Sequence, residues 1–231
     1  MEITAWIFAR GDSRGVVGKN IKPFHGKPLI AWSIEQALTV SRVCVSTDSK
    51  EIATISEKFG AHVPFLRPKH LATDNSPELL SWRHALSYMK EQDGKFPDIF
   101  LSMPTTAPLR RIEDVELCIE KFNVGDADAV VTVTSSNRNP YFNMVKVDEY
   151  GQAEIVNAQK TNIARRQDAP DVFDIATVAY VASPKFVMTT DQLFDGKVKV
   201  VQIPVESAID IDTPLDFELA EYLFRKKRLD L

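Results

Sequence analysis

A loop rich in glycine and basic residues carries the clearest candidate chemistry in the sequence. From Arg10 to Lys27 there are five Lys or Arg residues and one Asp, a net charge of +4 in a chain whose net charge is −4. Glycine lets the backbone approach a ligand closely, and successive N–H groups can face an anion. Arginine adds a forked donor and lysine a point charge, which together suit a triphosphate. The spacing matches neither GxxxxGK[ST] nor GxGxxG, which disfavours a P-loop and a dinucleotide fingerprint.

A pair of carboxylates forms a second constellation, in the segment Ile209-Asp210-Ile211-Asp212-Thr213-Pro214. If this segment is extended, side-chain alternation places Asp210 and Asp212 on one face. Two such carboxylates repel unless a cation or donors lie between them. Because Mg²⁺ takes one or two carboxylates together with phosphate oxygens, the pair and the basic loop predict a magnesium site. The competing interpretation is that Asp212 caps the following helix and Asp210 is solvated.

Two polar segments are weaker candidates for substrate binding. Thr105-Thr106-Ala107-Pro108-Leu109-Arg110 follows an apolar run, and its hydroxyl groups and Arg110 are expected at the edge where ligands bind. Arg165-Arg166-Gln167-Asp168 is a second basic segment, which suits a substrate carboxylate.

Apolar runs that alternate with helical patterns predict an α/β fold, with a mainly parallel sheet flanked by helices. Strands are expected over Ile3–Ala9, Arg42–Thr47, His62–Leu66, Ile99–Met103, Ala129–Thr134, Thr177–Ala182 and Lys199–Ile203. Helices are expected over Pro28–Val40, Asp48–Phe59, Pro77–Gln92, Ile112–Phe122 and Thr213–Arg228. Ligands of such folds lie outside the carboxyl ends of the strands, so the loops after Ala9, Thr47 and Met103 form the candidate site.

The pattern becomes polar and rich in turn residues after about Ser135. Two short strands near Met144–Val147 and Ala153–Val156 are expected to form a hairpin. Since an isolated hairpin is marginal in water, it must pack on the body of the chain or on a second subunit. The sequence therefore predicts one compact domain with an inserted arm.

Composition excludes several classes of protein. The chain has 231 residues, of which 44% are hydrophobic and 26% charged, close to the globular average. The slightly acidic balance disfavours nucleic acid or a membrane surface as a partner. There is no 18-residue apolar run and no signal-peptide pattern at the start. Cys44 and Cys118 lie in apolar contexts and are expected to be buried, which fits a reducing cytoplasm.

These motifs resemble those of the acylneuraminate (CMP-sialic acid) cytidylyltransferases. Ala9-Arg10-Gly11-Asp12-Ser13-Arg14-Gly15 with Lys19-Asn20 is similar to the ARGGSKG…KN signature of that family. Further similar blocks follow in the family order over nearly the whole chain: Gly26-Lys27-Pro28-Leu29-Ile30, Val45-Ser46-Thr47-Asp48, Phe65-Leu66-Arg67-Pro68, Leu71-Ala72-Thr73-Asp74, Pro104-Thr105-Thr106-Ala107-Pro108-Leu109-Arg110, Arg166-Gln167-Asp168-Ala169-Pro170 and the carboxylate segment.

The resemblance implies one Rossmann-like domain over residues 1–231, of the nucleotide-diphospho-sugar transferase type. Residues 137–169 would be an inserted dimerisation arm, and the protein would be a homodimer. The implied reaction joins CTP to a 2-keto-3-deoxy sugar acid, sialic acid or a related nonulosonic acid, with Mg²⁺, and releases pyrophosphate.

The resemblance also implies roles for individual residues. Those expected to bind CTP are Arg10, Ser13, Arg14, Lys19, Asn20, Arg67 and Asp74. Those expected to bind the sugar acid are Thr106, Arg110, Arg166, Gln167 and Tyr180. Asp210 and Asp212 would hold the metal, and the catalytic residues would be Arg10, Lys19 and Asp212.

The identity of the sugar acid stays open, because Pro104 and the pair Ala176-Thr177 depart from residues common in the family's sugar pocket. Three alternatives remain beside the main interpretation. They are a keto-deoxyoctulosonate-type cytidylyltransferase, a non-catalytic nucleotide-binding protein of the same fold, and a nicotinamide oxidoreductase.

Overall fold

A computed structural model describes residues 1–13, 15–158 and 165–229. The strands are β1 (Ile3–Phe8), β2 (Pro23–Phe24), β3 (Lys27–Pro28), β4 (Arg42–Ser46), β5 (Ile99–Ser102), β6 (Ala129–Ser135), β7 (Val145–Val147), β8 (Ala153–Ile155), β9 (Phe173–Ala182) and β10 (Val198–Gln202). The helices are α1 (Leu29–Leu38), α2 (Lys50–Lys58), α3 (Glu78–Asp93), α4 (Ile112–Asn123), α5 (Pro184–Thr189) and α6 (Pro214–Leu229).

The centre of the fold is a six-stranded sheet in the order β10-β6-β9-β5-β1-β4. Strand β1 is parallel to both β4 and β5, and β10 is parallel to β6. Strand β9 lies between β5 and β6 and is antiparallel to both. The predicted α/β fold with a mainly parallel sheet is thus confirmed, with one reversed strand.

Side-chain alternation along β1 explains the two apolar layers. Ala5 and Ile7 pack with Ile30 of α1 on one face of the sheet. Trp6 packs with Trp82 of α3 on the opposite face. All five side chains are at most 2% exposed, as expected for a strand covered by helices on both faces. The two layers hold the carboxyl ends of β1, β4 and β5 rigidly side by side.

Two expectations about strands need correction. The segment His62–Leu66 is not a strand, because it makes only isolated bridges, Cys44 with His62 and Thr47 with Leu66. Strand β9 begins at Phe173, earlier than the predicted Thr177, and continues beside β6 through a register shift.

The predicted hairpin is present as β7 and β8, which pair antiparallel with Val145 opposite Ile155. Its apolar side chains are poorly covered: Val145 is 55% exposed and Val147 61%. None of the helices in the described ranges has the length and apolar character needed to cross a membrane.

Candidate active site

A cleft of about 290 Å³ opens where β1, β4 and β5 end. Its walls come from the basic loop, from the segment that follows the bridge at Leu66, from the start of α3, and from the loop after β5. The lining residues are Phe8, Arg10, Ser13, Lys19, Asn20, Arg67, Leu71, Ala72, Thr73, Asp74, Ser76, Glu78, Ser81, Thr105 and Thr106. The structure therefore brings together six residues expected to bind CTP, together with Thr106.

Hydrogen bonds to neighbouring loops hold the basic loop in place. The Asn20 amide donates to the Arg10 carbonyl oxygen at 2.9 Å and accepts from the Thr105 hydroxyl at 2.6 Å. The Gly11 N–H donates to Asp48 Oδ1 at 2.8 Å. Both the nitrogen and the oxygen of the Asn20 amide are therefore hydrogen-bonded within the protein, and Asn20 holds the basic loop in position.

Lys19 joins the basic loop to the carboxylate segment. Its buried side chain donates from Nζ to the Ile211 carbonyl oxygen and lies 3.2 Å from Asp212 Oδ1. The Ile211 N–H in turn donates to the Thr106 carbonyl oxygen at 2.9 Å. Two constellations almost 200 residues apart therefore meet at one edge of the sheet, as the hypothesis of a joint phosphate and metal site requires.

Gly15 marks the tightest contact between these two segments. A Cβ atom at this position would lie 1.8 Å from the Asp212 carbonyl oxygen. Only glycine permits such an approach, since real Cβ atoms stay beyond about 3 Å.

Asp210 Oδ1 is buried and receives no hydrogen bond. Burial removes hydration and raises the pKa of this carboxyl group, and the hydroxyl groups of Thr106 and Thr177 oppose that shift. The Asp212 carboxylate next to it adds a second negative charge. An orphaned, buried carboxylate oxygen beside another carboxylate fits a divalent cation. The described residues contain no cluster of three or more His, Cys, Asp or Glu side chains placed for a metal, so phosphate oxygens and water would have to complete the coordination.

The alternative that Asp212 caps the last helix is wrong. At the start of α6, Thr213 Oγ1 accepts from the Asp216 N–H at 3.3 Å, and Asp216 Oδ2 accepts from the Thr213 N–H at 2.7 Å. This reciprocal pair caps the helix and leaves the Asp212 side chain directed to Lys19.

Arg67 and Asp74, two further residues expected to bind CTP, lie on the wall formed by the segment after Leu66. Arg67 is 7% exposed and donates to the Ser81 hydroxyl at 3.1 Å and to the Ser46 carbonyl oxygen at 3.2 Å. Loss of hydration lowers the pKa of its guanidinium group, and the charge of Asp48 opposes that shift. Arg10 forms an ion pair with Asp74 across the cleft. Arg14 lies outside the described residues.

Arg110, which is expected to bind the sugar acid, makes its contacts within the protein. It is 3% exposed and does not line the cleft. Its guanidinium donates to the carbonyl oxygens of Val178 and Pro104, and also to the Ser33 hydroxyl at 3.2 Å and Gln36 Oε1 at 3.1 Å. Burial lowers its pKa to about 9. Because its donors are used inside the protein, Arg110 ties β9 and α1 to the loop after β5.

The other sugar-acid candidates lie apart from the first cleft. Arg166 and Gln167 line a second cleft of about 520 Å³ at the base of the arm. There the Arg166 guanidinium donates to the Ser136 carbonyl oxygen at 2.6 Å. Tyr180 lies on β9 with its ring centroid 5.6 Å from that of Trp82, and burial raises the pKa of its hydroxyl group.

Sequence reasoning missed part of the cleft wall. The unexpected lining residues are Phe8, Leu71, Ala72, Thr73, Ser76, Glu78 and Ser81. Glu78 is the charged member of this set, and it gives no distinctive sequence signal because an acid in the first turn of a helix is common.

A sheet whose carboxyl edge carries a basic, glycine-containing loop beside a carboxylate pair is typical of a nucleotide-binding α/β protein. Comparison with known proteins makes the assignment specific. The chain belongs to the cytidylyltransferase family, whose model matches residues 4–230.

Named relatives span almost the full chain. The chain is 33% identical to CMP-N,N'-diacetyllegionaminic acid synthase of Campylobacter jejuni, over 99% of this chain and 97% of the relative. It is 30% identical to pseudaminic acid cytidylyltransferase of the same species, over 94% of each chain. The solved structure of CMP:2-keto-3-deoxy-manno-octonic acid synthetase complexed with CTP superposes with a TM-score of 0.74. That match covers 98% of this chain and 100% of the other at 16% identity, so it shows the shared fold.

Proposed function

We propose that the protein transfers a cytidylyl group from CTP to a 2-keto-3-deoxy sugar acid of the nonulosonic class. The products are a CMP-sugar and pyrophosphate. The observation that carries this proposal is the junction at Lys19, where the basic loop meets the carboxylate pair. The nonulosonic class is supported by relatives whose names specify legionaminic and pseudaminic acids.

The basic loop is proposed to bind the triphosphate. Arg10, Ser13 and Lys19 line one part of the cleft, and Arg14 belongs to the same loop. Positive charge next to the β- and γ-phosphates stabilises the leaving pyrophosphate. Asp74 neutralises Arg10 in the ligand-free protein, and a bound phosphate would replace it as the partner of Arg10.

Asp210 and Asp212 are proposed to hold Mg²⁺ together with phosphate oxygens. The unpaired Asp210 Oδ1 supports this assignment. Bound there, the cation would supply Lewis-acid stabilisation of phosphate charge and lower the pKa of an adjacent hydroxyl group. Lys19 holds the Asp212 carboxylate and the backbone of the segment in position.

The reaction is an in-line displacement. The anomeric hydroxyl oxygen of the sugar acid attacks the α-phosphorus of CTP. The bond from that phosphorus to the bridging oxygen of the β-phosphate breaks, and pyrophosphate takes the electron pair. The hydroxyl proton passes to an acceptor at the carboxylate end of the cleft. Positioning and charge neutralisation account for most of the catalysis in such transfers.

A homodimer formed through the arm is the second part of the proposal. Val145 and Val147 share one exposed face of β7, and Tyr150 at the hairpin turn is 81% exposed. Within one chain, Arg166 and Gln167 line a cleft that is separate from the cleft proposed to bind the triphosphate. Pairing of two arms would bury the apolar face and supply these residues to a sugar-acid site.

Sedimentation velocity tests the homodimer. Val147→Asp should convert the dimer to a monomer, because it places a charge within the proposed contact. Lys146→Gln changes the opposite face of β7 without placing a like charge opposite Glu154, and should leave the dimer intact. A wild-type monomer at micromolar concentration would refute this part of the proposal.

Pyrophosphate release tests the reaction itself. The assay combines CTP and Mg²⁺ with N-acetylneuraminate, legionaminate, pseudaminate or keto-deoxyoctulosonate, with ATP, GTP and UTP as controls. Release that depends on CTP and on one nonulosonic acid is the expected result. Turnover with keto-deoxyoctulosonate alone would favour the alternative enzyme class. CTP binding without turnover on any acid would favour a non-catalytic nucleotide-binding protein, and binding of NADH in place of CTP would favour the oxidoreductase.

A further inference from the structure

Glu78 is an acidic side chain of the first cleft that forms no ion pair with a basic residue of the described ranges, although the charge of Arg67 acts on it. The other lining acid, Asp74, pairs with Arg10. Glu78 lies in the first turn of α3 and lines the cleft. Burial raises the pKa of its carboxyl group, while the Trp82 indole N–H and the positive charge of Arg67 favour the ionised form.

The Glu78 carboxylate is held in a defined orientation. The indole N–H of Trp82, one helical turn further on, donates to Glu78 Oε1 at 3.2 Å. Trp82 is 2% exposed and packs with Phe100, so its ring is fixed. No other hydrogen-bond partner of Glu78 exists within the described part of the chain, which leaves Oε2 as an acceptor that can face the cleft.

The surroundings of Glu78 suit a nucleobase. Phe8, Leu71 and Ala72 give this part of the cleft an apolar wall. Lys19 lies beside the carboxylate pair, whereas Arg10 lies against Asp74. A nucleotide with its phosphates beside Lys19 and the carboxylate pair would extend its nucleoside along the cleft toward Glu78.

We infer that Glu78 selects cytosine by accepting a hydrogen bond from its exocyclic amino group. Cytosine carries an amino donor at C4, where uracil carries a carbonyl acceptor, and a carboxylate accepts from the former and repels the latter. The lining Ser and Thr hydroxyls either donate or accept, so they do not distinguish the two bases. Both ends of the Asn20 amide are already used by the protein. This inference rests on the proposed use of CTP and adds a residue that determines nucleotide specificity.

The substitution Glu78→Gln tests the inference, because it should change the preference for CTP over UTP in a definite direction. The substituted amide keeps the size of Glu78 and its oxygen toward the Trp82 indole N–H, so its NH₂ group faces the cleft. That donor repels the amino group of cytosine and pairs with the O4 atom of uracil. The preference for CTP over UTP should fall by about 10- to 100-fold, the range for one hydrogen bond to a charged group. Glu78→Asp keeps an acceptor and should retain a weaker preference for CTP.

Affinities for CTP, UTP and dCTP are measured by calorimetry without any sugar acid, so the result does not depend on turnover. Glu91→Gln removes the same charge from an exposed position on the same helix and serves as the matched control.

Equal weakening of CTP and UTP binding by Glu78→Gln would indicate a merely structural role and overturn the inference. An unchanged CTP-to-UTP ratio, or a loss that disappears with dCTP, would also overturn it, the latter by assigning Glu78 to the ribose. A wild-type protein that binds CTP selectively but turns over no acid would refute the proposed reaction and leave this inference standing. A wild-type protein that binds no nucleotide would refute both.

Discussion

Gly15→Ala should disable the site by separating the two segments that form it. The added Cβ would lie 1.8 Å from the Asp212 carbonyl oxygen, and a tolerable contact needs at least about 3.0 Å. The basic loop or the carboxylate segment must therefore move by more than 1 Å. Either movement displaces Lys19 relative to Ile211 and Asp212, which it now bridges.

A displacement of about 1 Å within a catalytic site costs on the order of 100-fold in rate. We therefore expect kcat/KM for pyrophosphate release to fall by ~100-fold, and CTP affinity to fall with it. Overpacking should also cost about 1–3 kcal/mol of unfolding free energy, or a lower Tm by roughly 2–10 °C in a chain of this size.

The matched control is Gly11→Ala in the same loop. Its Cβ would meet Ser49 Cβ at 3.2 Å, which a shift of a few tenths of an ångström relieves. Gly11→Ala should therefore stay within a few-fold of the wild type in both kcat/KM and CTP affinity. Wild-type kinetics and CTP binding in Gly15→Ala would refute the argument that contact between the loop and the carboxylate segment assembles the site.

Three further predictions follow from individual side chains. Asp212→Asn should reduce kcat by about 100- to 1,000-fold while the protein still binds CTP, as expected for a group that acts on developing charge; near-wild-type turnover would reject the metal assignment. Arg110→Ala should lower the free energy of unfolding in urea by about 2–4 kcal/mol, because several buried acceptors lose their donor. The CTP affinity of the folded Arg110→Ala protein should be unchanged. A selective loss of sugar-acid affinity would indicate that Arg110 takes part in sugar-acid binding. Burial raises the pKa of Cys44 to about 11 and that of Cys118 to about 12, so neither thiol should react with iodoacetamide in the native protein at pH 8; mass spectrometry should find both modified after unfolding, and rapid native labelling would contradict their burial.

Most of the elements that build the sheet could be predicted because their burial is periodic. Strand β1 reads as a continuous apolar run, and helices α1, α2 and α4 show apolar residues at helical spacing. The segment His62–Leu66 has the same local composition but lies along the edge of β4 with only two bridges. The direction of a strand could not be predicted either. A buried strand such as β9 has the same apolar pattern whether it is parallel or antiparallel to its neighbours.

The candidate site also has a part that the sequence could predict and a part that it could not. The residue types of the basic loop and of the Asp210–Asp212 pair were sufficient to predict a phosphate and metal chemistry. The burial of Arg110 could not be predicted, because an arginine beside a predicted ligand edge gives no sign of whether its donors face solvent or buried carbonyl groups. Glu78 was missed because its position in the cleft depends on how α3 packs over the sheet.

The sequence by itself determined the layered α/β architecture and the motifs of a cytidylyltransferase, because periodicity and residue chemistry are local properties. Tertiary structure alone decided which charged groups share one cleft. Lys19 and Asp212 come into contact across almost the whole chain because the sheet places the ends of its strands side by side. Contacts of that range depend on packing and backbone hydrogen bonds between distant segments, which no local pattern specifies.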